Sequence, residues 1–578
     1  MNKILYIAFL VIFNSGVVYS QSPVYLQGFP KSLDSNYVPI YYGATPVIAD
    51  FNNDGKKEIL VAVKKSFYTR VYLIAHNGSI LNGWPITISS RSWPSIAAGD
   101  IDNDNYIDVA LRDNDSVFVF RYDGTRLNGF PVYFKDENLA HIALYDLDND
   151  NFLEIIVKGN NLLNVIDHLG NFEIGWPVKL PGNPGDKVLS PPMTIADLDN
   201  DNNGEIIVPS SLCDSASPPC RMNYVHAFRK NGEYMNGWPV EIDSGYGFYS
   251  QPATVYKDDL TDSVFIFLNT SYIPFLYADS IRTRTMKISV QGKTTKIFQT
   301  TGASEFSSIA LAEKDGNLYK SFGTEPSPVF LINDENKVVT NWPVFGNGYY
   351  YNSPLMVEFG NTLITNVHIT SMDISRRGFS FFYKLDGYEL EWSPLRPIGF
   401  VKAAGAFGDI NSDGELDFCV MTLLDTNNVS HPILHAWTFP GVSYDVSKMH
   451  WPMYAHDRYR TNQYGFIPPD EPVGIQPVSN VVPEKFELHQ NFPNPFNPST
   501  TIRFDVSVSG NVSLKVYDVL GREVAVLADE YLHAGSYERV FDASDLSSGV
   551  YFYTFRVTSG QALRTAGFEK TLRMVVLK

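Results

Sequence analysis

Pro46-Val-Ile-Ala-Asp-Phe-Asn-Asn-Asp-Gly55, followed by Glu58-Ile-Leu-Val-Ala62, places an acidic loop between two short apolar runs. Further on come a third apolar run, Val71-Tyr-Leu-Ile74, a turn at His76-Asn-Gly78 and the element Asn82-Gly-Trp-Pro85. This unit recurs. Acidic loops begin again at Asp100, Asp146, Asp197 and Asp409. Gly-aromatic-Pro returns as Gly129-Phe-Pro131, Gly175-Trp-Pro177 and Gly237-Trp-Pro239, with weaker copies at Asn341-Trp-Pro343, Trp392-Ser-Pro394 and His450-Trp-Pro452. Between Asp197 and Asp409 the acidic loop decays while the spacing persists, with degenerate units starting near Pro252, Ser307 and Ser353.

A period of about fifty residues with some four short strands per unit is the pattern of a β-propeller, read here as seven or eight blades. No blade can bury both faces alone; stacked blades bury them against each other. An open solenoid is the alternative stacking. The chain has 578 residues and three cysteines, so no disulfide framework holds it. Cys213 and Cys220 flank one loop, and their pairing stays open; Cys419, within Phe418-Cys419-Val420, reads as a buried thiol.

The five regular loops follow Asp-x-Asp/Asn-x-Asp-x-x-x-Asp/Glu. The residues are Asp50, Asn52, Asp54 and Glu58; Asp100, Asp102, Asp104 and Asp108; Asp146, Asp148, Asp150 and Glu154; Asp197, Asp199, Asp201 and Glu205; and Asp409, Asn411, Asp413 and Asp417. Alternate carboxylates on a tight turn converge on one point, and the ninth residue returns to it from the next strand. Two carboxylates ~4 Å apart repel by roughly 4 kcal/mol at an effective dielectric near 20. A divalent cation removes that cost. All-oxygen coordination by 6–8 ligands points to Ca2+ rather than Mg2+, which keeps its waters.

These loops and their flanking strands resemble the FG-GAP/VCBS repeat of integrin-α-like propellers, over roughly residues 40 to 463. The resemblance implies calcium in the five regular loops and none in the three degenerate units. The run Trp451-Pro-Met-Tyr-Ala-His-Asp-Arg-Tyr459 is similar to the segment that closes such arrays.

Both ends carry different signals. Lys3, the apolar run Ile4 to Phe13 and Val18-Tyr-Ser20 read as a signal peptide over residues 1–20; the run is too short to span a bilayer, and no later stretch is long and apolar enough to do so. The propeller is expected over 21–464, a Pro- and Val-rich linker over 465–482, and a second domain over 483–578. There Ile502, Phe504 and Val506 alternate, as do Val512, Leu514 and Val516, and Tyr551, Tyr553, Phe555 and Val557. Short alternating strands in a segment of this size suggest an Ig-like β-sandwich. The overall class is therefore all-β.

Asn491-Phe-Pro-Asn-Pro-Phe-Asn-Pro-Ser-Thr-Thr-Ile502, Val516-Tyr-Asp-Val-Leu-Gly-Arg-Glu-Val524, Ser548-Gly-Val-Tyr-Phe552 and Leu572-Arg-Met-Val-Val-Leu-Lys578 together resemble the type A sorting domain of the type IX secretion system, itself similar to an FlgD Ig-like domain. That resemblance implies the type IX machinery as partner, passage across the outer membrane, and a secreted or cell-surface protein.

A net charge of −18 argues against nucleic acid as a partner. No Gly-x-Ser-x-Gly, His-Glu-x-x-His or Gly-x-x-x-x-Gly-Lys is present. His226 and His435 recur at one repeat position, which suits structure better than catalysis. The expectation is a non-catalytic protein for adhesion or ligand binding. The alternatives are an enzyme (lyase or hydrolase) on extracellular polysaccharide and a structural surface-layer component. No catalytic residue is assigned, and the ligand is not named by the sequence.

Overall fold

The computed structural model describes residues 22–577 apart from 40–44, 90–93, 135–140, 160–161, 182–186, 190, 214–221, 243–251, 259–260, 273–280, 305–306, 325–327, 345–347, 350–352, 372–376, 402, 427–428, 469–476, 480–484, 508–509, 533–534, 544–545 and 559–567. The signal-peptide reading, most of the linker and the Cys213–Cys220 pairing fall outside the described residues. The chain forms two compact units, Met1–Asp470 and Glu471–Lys578. Both are all-β; the helix among the described residues is a single 3-10 turn at Val446–Lys448.

In the first unit the described strands make eight antiparallel sheets in chain order. The second sheet shows the plan: Ser95–Gly99, Asp108–Asp113, Ser116–Phe120 and Val132–Tyr133 run as a meander. Strands such as Glu58–Lys65 and Glu154–Lys158 are buried along nearly their whole length. Two-sided burial explains their continuous apolar runs. Ile96, Ala98, Val109 and Leu111 pack on the first sheet, while Ala97, Ala110, Val117 and Val119 pack on the third. Further shared cores join third to fourth, fourth to fifth, and fifth through eighth. Another joins the eighth sheet to the first, through Ala406, Ile410, Cys419 and Leu434 against Ile48, Ile59 and Val61. Cys419 is a buried free thiol there, as expected, and burial pushes its pKa up.

The Gly-aromatic-Pro element, with its weaker copy at Asn341, staples one sheet to the next through tryptophan at four junctions. The indole Nε1 of Trp84 donates to the Tyr122 carbonyl at 2.7 Å, Trp176 to Lys230 at 2.7 Å, Trp238 to Val290 at 2.9 Å and Trp342 to Leu385 at 3.0 Å. The glycine allows the close approach: Gly83 has φ +87°, and a Cβ there would lie 1.9 Å from the Asp123 carbonyl oxygen.

Two sequence readings are revised at this point. His450-Trp-Pro452 is no copy of the staple; Trp451 is fully buried and exchanges backbone hydrogen bonds with Met356. The copy that belongs to the eighth sheet is Gly28-Phe-Pro30, at the other end of the chain, where Gly28 meets the Asn77 turn of the first sheet as Gly83 meets Asp123. Strands Val24–Tyr25 and Lys31–Ser32 accordingly pair with Val429–Ser443 of the eighth sheet.

The segment from Trp451 to Tyr464 crosses the first strands of six sheets. Backbone bonds run from the amides of Ala98, Leu144, Ile195, Val255, Met356 and Phe407 to the carbonyls of Arg458, Tyr459, Thr461, Asn462, Trp451 and Pro452 respectively. Arg460 is buried and donates to the Thr45, Ile96 and Tyr454 carbonyls.

The second unit has two four-stranded sheets. One holds Pro477–Ser479, Glu487–Leu488, Ser499–Val506 and Gly535–Asp542; the other holds Gly510–Tyr517, Glu523–Leu532, Gly549–Thr558 and Phe568–Val576. The three alternating sets read from the sequence are buried in one core shared by both sheets.

Candidate metal centres

Each regular loop joins two antiparallel strands of its sheet, the second of them beginning at or just before the ninth loop residue, in the first, second, third, fourth and eighth sheets. All five use one hydrogen-bond scheme. The first-position carboxylate accepts the amides of the fifth and sixth residues: Asp50 from Asp54 and Gly55 at 3.1 and 2.8 Å, Asp409 from Asp413 and Gly414 at 3.1 and 3.0 Å. Asp100, Asp146 and Asp197 do the same. A left-handed residue at the fourth position makes the turn: Asn53, Asn103, Asn149, Asn200 and Ser412 all have φ between 56° and 62°. Asparagine suits that region.

The ninth residue closes the loop. One oxygen of Glu58, Asp108, Glu154, Glu205 and Asp417 accepts the amide of the second residue at 3.0, 3.2, 2.7, 2.8 and 2.7 Å. These five side chains are buried, at 0–4% exposure. In Asp108 and Asp417 the other oxygen is buried with no hydrogen-bond partner among the described residues, and so is Oδ1 of Asp102. Burial first, then the neighbouring carboxylates, raises all five to about 8. Desolvation likewise raises Asp50, Asp148 and Asp409. A buried carboxyl that favours its proton, beside acids at two-residue steps, is an arrangement short of positive charge. In three loops the first, third and ninth residues bring ligand atoms within 4.8 Å of one another: Asp100, Asp102 and Asp108; Asp146, Asp148 and Glu154; Asp197, Asp199 and Glu205. The fifth-position residues lie outside these sets, as do the first and fifth loops. These acidic clusters could hold a metal ion; the donors are all oxygen.

The degenerate units solve the same problem differently. The residue bonded to the Trp451–Tyr464 segment lies two before the first loop position in each regular sheet it crosses, so Lys257 and Glu358 hold that position in the fifth and seventh sheets. Lys257 pairs with Asp262 at 3.0 Å. Glu358 receives Lys314 Nζ at 2.9 Å and hydrogen-bonds His450 Nε2 at 3.1 Å. Burial works to raise the Glu358 pKa, but these two partners outweigh it and the net shift is downward. In the sixth sheet the long loop is replaced by the two-residue turn Asp315-Gly316, φ 51° and 74°.

His226 and His435 are buried and held alike. His226 meets Ser210 Oγ at 2.8 Å and Tyr234 Oη at 2.9 Å; His435 meets Thr422 Oγ1 at 3.1 Å and Tyr25 Oη at 2.9 Å. Burial lowers both to about 4.

In the second unit the first and last of the four sequence motifs converge, and Tyr553 ties in the strand that leads into the first. Phe496 exchanges backbone bonds with Val575 and Leu577, the Val575 amide donates to Asn494 Oδ1 at 2.9 Å, and Tyr553 Oη donates to the His489 carbonyl at 2.9 Å.

Residues 50–111 match the FG-GAP-like repeat family, and residues 490–565 match the secretion system C-terminal sorting domain. No curated protein matches the chain. Among solved structures it overlaps the V. cholerae biofilm matrix protein Bap1 (12% identity, 74% of this chain, 92% of that chain, TM-score 0.38). It also overlaps a Synechocystis apocarotenoid oxygenase mutant (10%, 66%, 93%, 0.35) and a Bacillus licheniformis rhamnogalacturonan lyase (10%, 76%, 99%, 0.29). These overlaps are too loose to carry a functional reading. The chain thus carries an FG-GAP-like repeat and a type IX sorting domain, and that tail indicates export by the type IX system to the cell surface or the extracellular space. Among the described residues no helix is long and apolar enough to cross a membrane.

Proposed function

We propose that the first unit is an eight-bladed β-propeller, stiffened by calcium in its five regular loops, that the second is an Ig-like sorting domain, and that the mature protein binds a ligand at the cell surface without catalysis. Support for the propeller comes from eight successive sheets sharing cores in sequence, with the eighth also sharing one with the first. The calcium reading rests above all on the buried ninth-position carboxyl, which is found in every regular loop and raised in every one. Calcium would be held by the first-, third-, fifth- and ninth-position side chains, with Asn52 and Asn411 giving amide oxygens in the first and fifth loops.

The ion's role is structural, pinning the turn between the first two strands of a blade. Support for a non-catalytic role comes from His226 and His435, which are absorbed in repeated buried contacts. Melting in millimolar calcium and in EDTA tests the metal. At 100 times the dissociation constant each site adds about 2.7 kcal/mol, so coincident midpoints would refute it. Incubation with extracellular polysaccharides tests the rest: new reducing ends or unsaturated sugars would make the protein an enzyme, while capture on a glycan or protein array without turnover is the expected outcome.

A further inference from the structure

The five loops share one scheme of backbone bonds, but not one charge environment. In each sheet, strand pairing sets a particular residue opposite the ninth loop position. The registers Ile59↔Ile74, Val109↔Phe120, Ile155↔Ile166, Ile206↔Phe228 and Asp417↔Thr438 put Ala75, Arg121, Asp167, Arg229 and Thr438 there. Two of the five are arginines. Arg121 donates from Nη2 to Asp102 and from Nη1 to Asp104. Arg229 donates from Nη2 to Asp199 at 2.6 Å and from Nη1 to Asp201 at 3.4 Å, and lies 3.8 Å from Glu205. In the first, third and fifth loops the facing residue is Ala75, Asp167 or Thr438, so no guanidinium stands at that place; Lys230 and Lys57 lend only a nearby charge to Asp148 and Asp409. Asp167 turns away instead and accepts the Leu169 and Asn171 amides of its own turn.

The guanidinium also changes which oxygens are on offer. In every loop Oδ1 of the fifth-position Asp accepts the amide two residues on. In the fifth loop Oδ2 is taken as well, by the neutral Asn411 amide at 2.8 Å, whereas in the second and fourth loops it is taken by the arginine. A cation that needs the fifth carboxylate must therefore displace a fixed positive charge. A planar guanidinium that spans two carboxylates is well matched to that post.

We propose that Arg121 and Arg229 are tethered counter-ions that close the second and fourth loops without an ion and compete with calcium there. The loops then fall into two classes. Those starting at Asp50, Asp146 and Asp409 depend on the ion. Those starting at Asp100 and Asp197 keep their shape at low calcium and load only when it is abundant. This rests on the calcium reading above.

Calcium titration of the full chain by calorimetry, wild type against R121Q/R229Q, tests it, with R121Q and R229Q made singly in case the double variant does not fold. The wild type should bind three ions tightly and two more weakly by at least about tenfold, a gap of 1.4 kcal/mol. The double variant should bind all five tightly, and each single variant should move one site. The arginine variants should also melt lower than wild type in EDTA and equal to it in saturating calcium. Five equivalent sites in the wild type, or arginine variants with unchanged or weaker binding, overturn the latch while leaving calcium in place. No calcium bound by either protein overturns the calcium reading and the latch with it.

Discussion

At Asp417 one oxygen accepts the Ile410 amide at 2.7 Å and the other is buried with no hydrogen-bond partner among the described residues. Asp417→Asn keeps an acceptor for Ile410 and deletes the charge. In calcium it should cost roughly 1–3 kcal/mol, the scale of a hydrogen bond to a charged group. In EDTA at pH 8 it should be neutral or stabilising, because a buried carboxyl raised to about 8 no longer has to ionise beside its neighbours. Thermal melts in the two buffers measure this, and an equal loss in both would reduce the loop to a hydrogen-bonded turn. That the ninth residue returns to its loop was legible from spacing alone. Arg121 and Arg229 were not. Their relation to the loops depends on which residue faces the ninth position across the strand pair, and register is set by the fold.

The loop and the staple are the repeating elements, and each carries a prediction. Gly83 sits at φ +87° against the Asp123 carbonyl. Gly83→Ala should cost about 1–3 kcal/mol in backbone strain alone, with the steric clash added, whereas alanine at Gly55, which has open space around it, carries only the strain of its φ +84°. Denaturant midpoints of the two variants should rank in that order. For the loops the variable is pH. An unfolded carboxyl titrates near 4, and the five ninth-position groups are raised to about 8. The folded state therefore holds more protons between those values. Its stability in EDTA is full below pH ~4 and is lost as pH climbs through 8. Calcium holds the same groups ionised, so the decline should vanish in calcium, and calcium added at pH 7 should release protons. A flat profile in EDTA would contradict the burial argument. The three degenerate units were placed by their spacing, but the neutralising of Glu358 was hidden from sequence reading for a physical reason. Lys314 and His450 come from distant parts of the chain to neutralise Glu358, so no local pattern marks the site.

Across the whole molecule the all-β class and a repeat array of seven or eight units followed from periodicity, while the joining of the ends did not. Gly28-Phe-Pro30 stands far from the eighth sheet in sequence, and the Trp451–Tyr464 segment is irregular, so neither shows a period. Two truncations test their weight. A chain of residues 1–468, which keeps the signal peptide, should melt like the first unit of the full protein but stay in the periplasm, for want of the tail. A chain of residues 22–449 should lose cooperative unfolding, and a synthetic 450–468 peptide should restore it; a cooperative melt without the peptide would make the segment ornamental. One consequence concerns biosynthesis. The amides of six first strands wait for carbonyls that lie between Trp451 and Asn462, and the strand Val24–Tyr25 waits for Trp437 and Thr438. Loops this long close slowly, and only after both ends exist. A nascent chain interrupted anywhere before Trp451 lacks the segment that laces its sheets and lacks the sorting domain as well. Gene order thus acts as an inspection step: products that stop early are left open to periplasmic proteases and without a passport, and the chains that reach the outside are those that were finished.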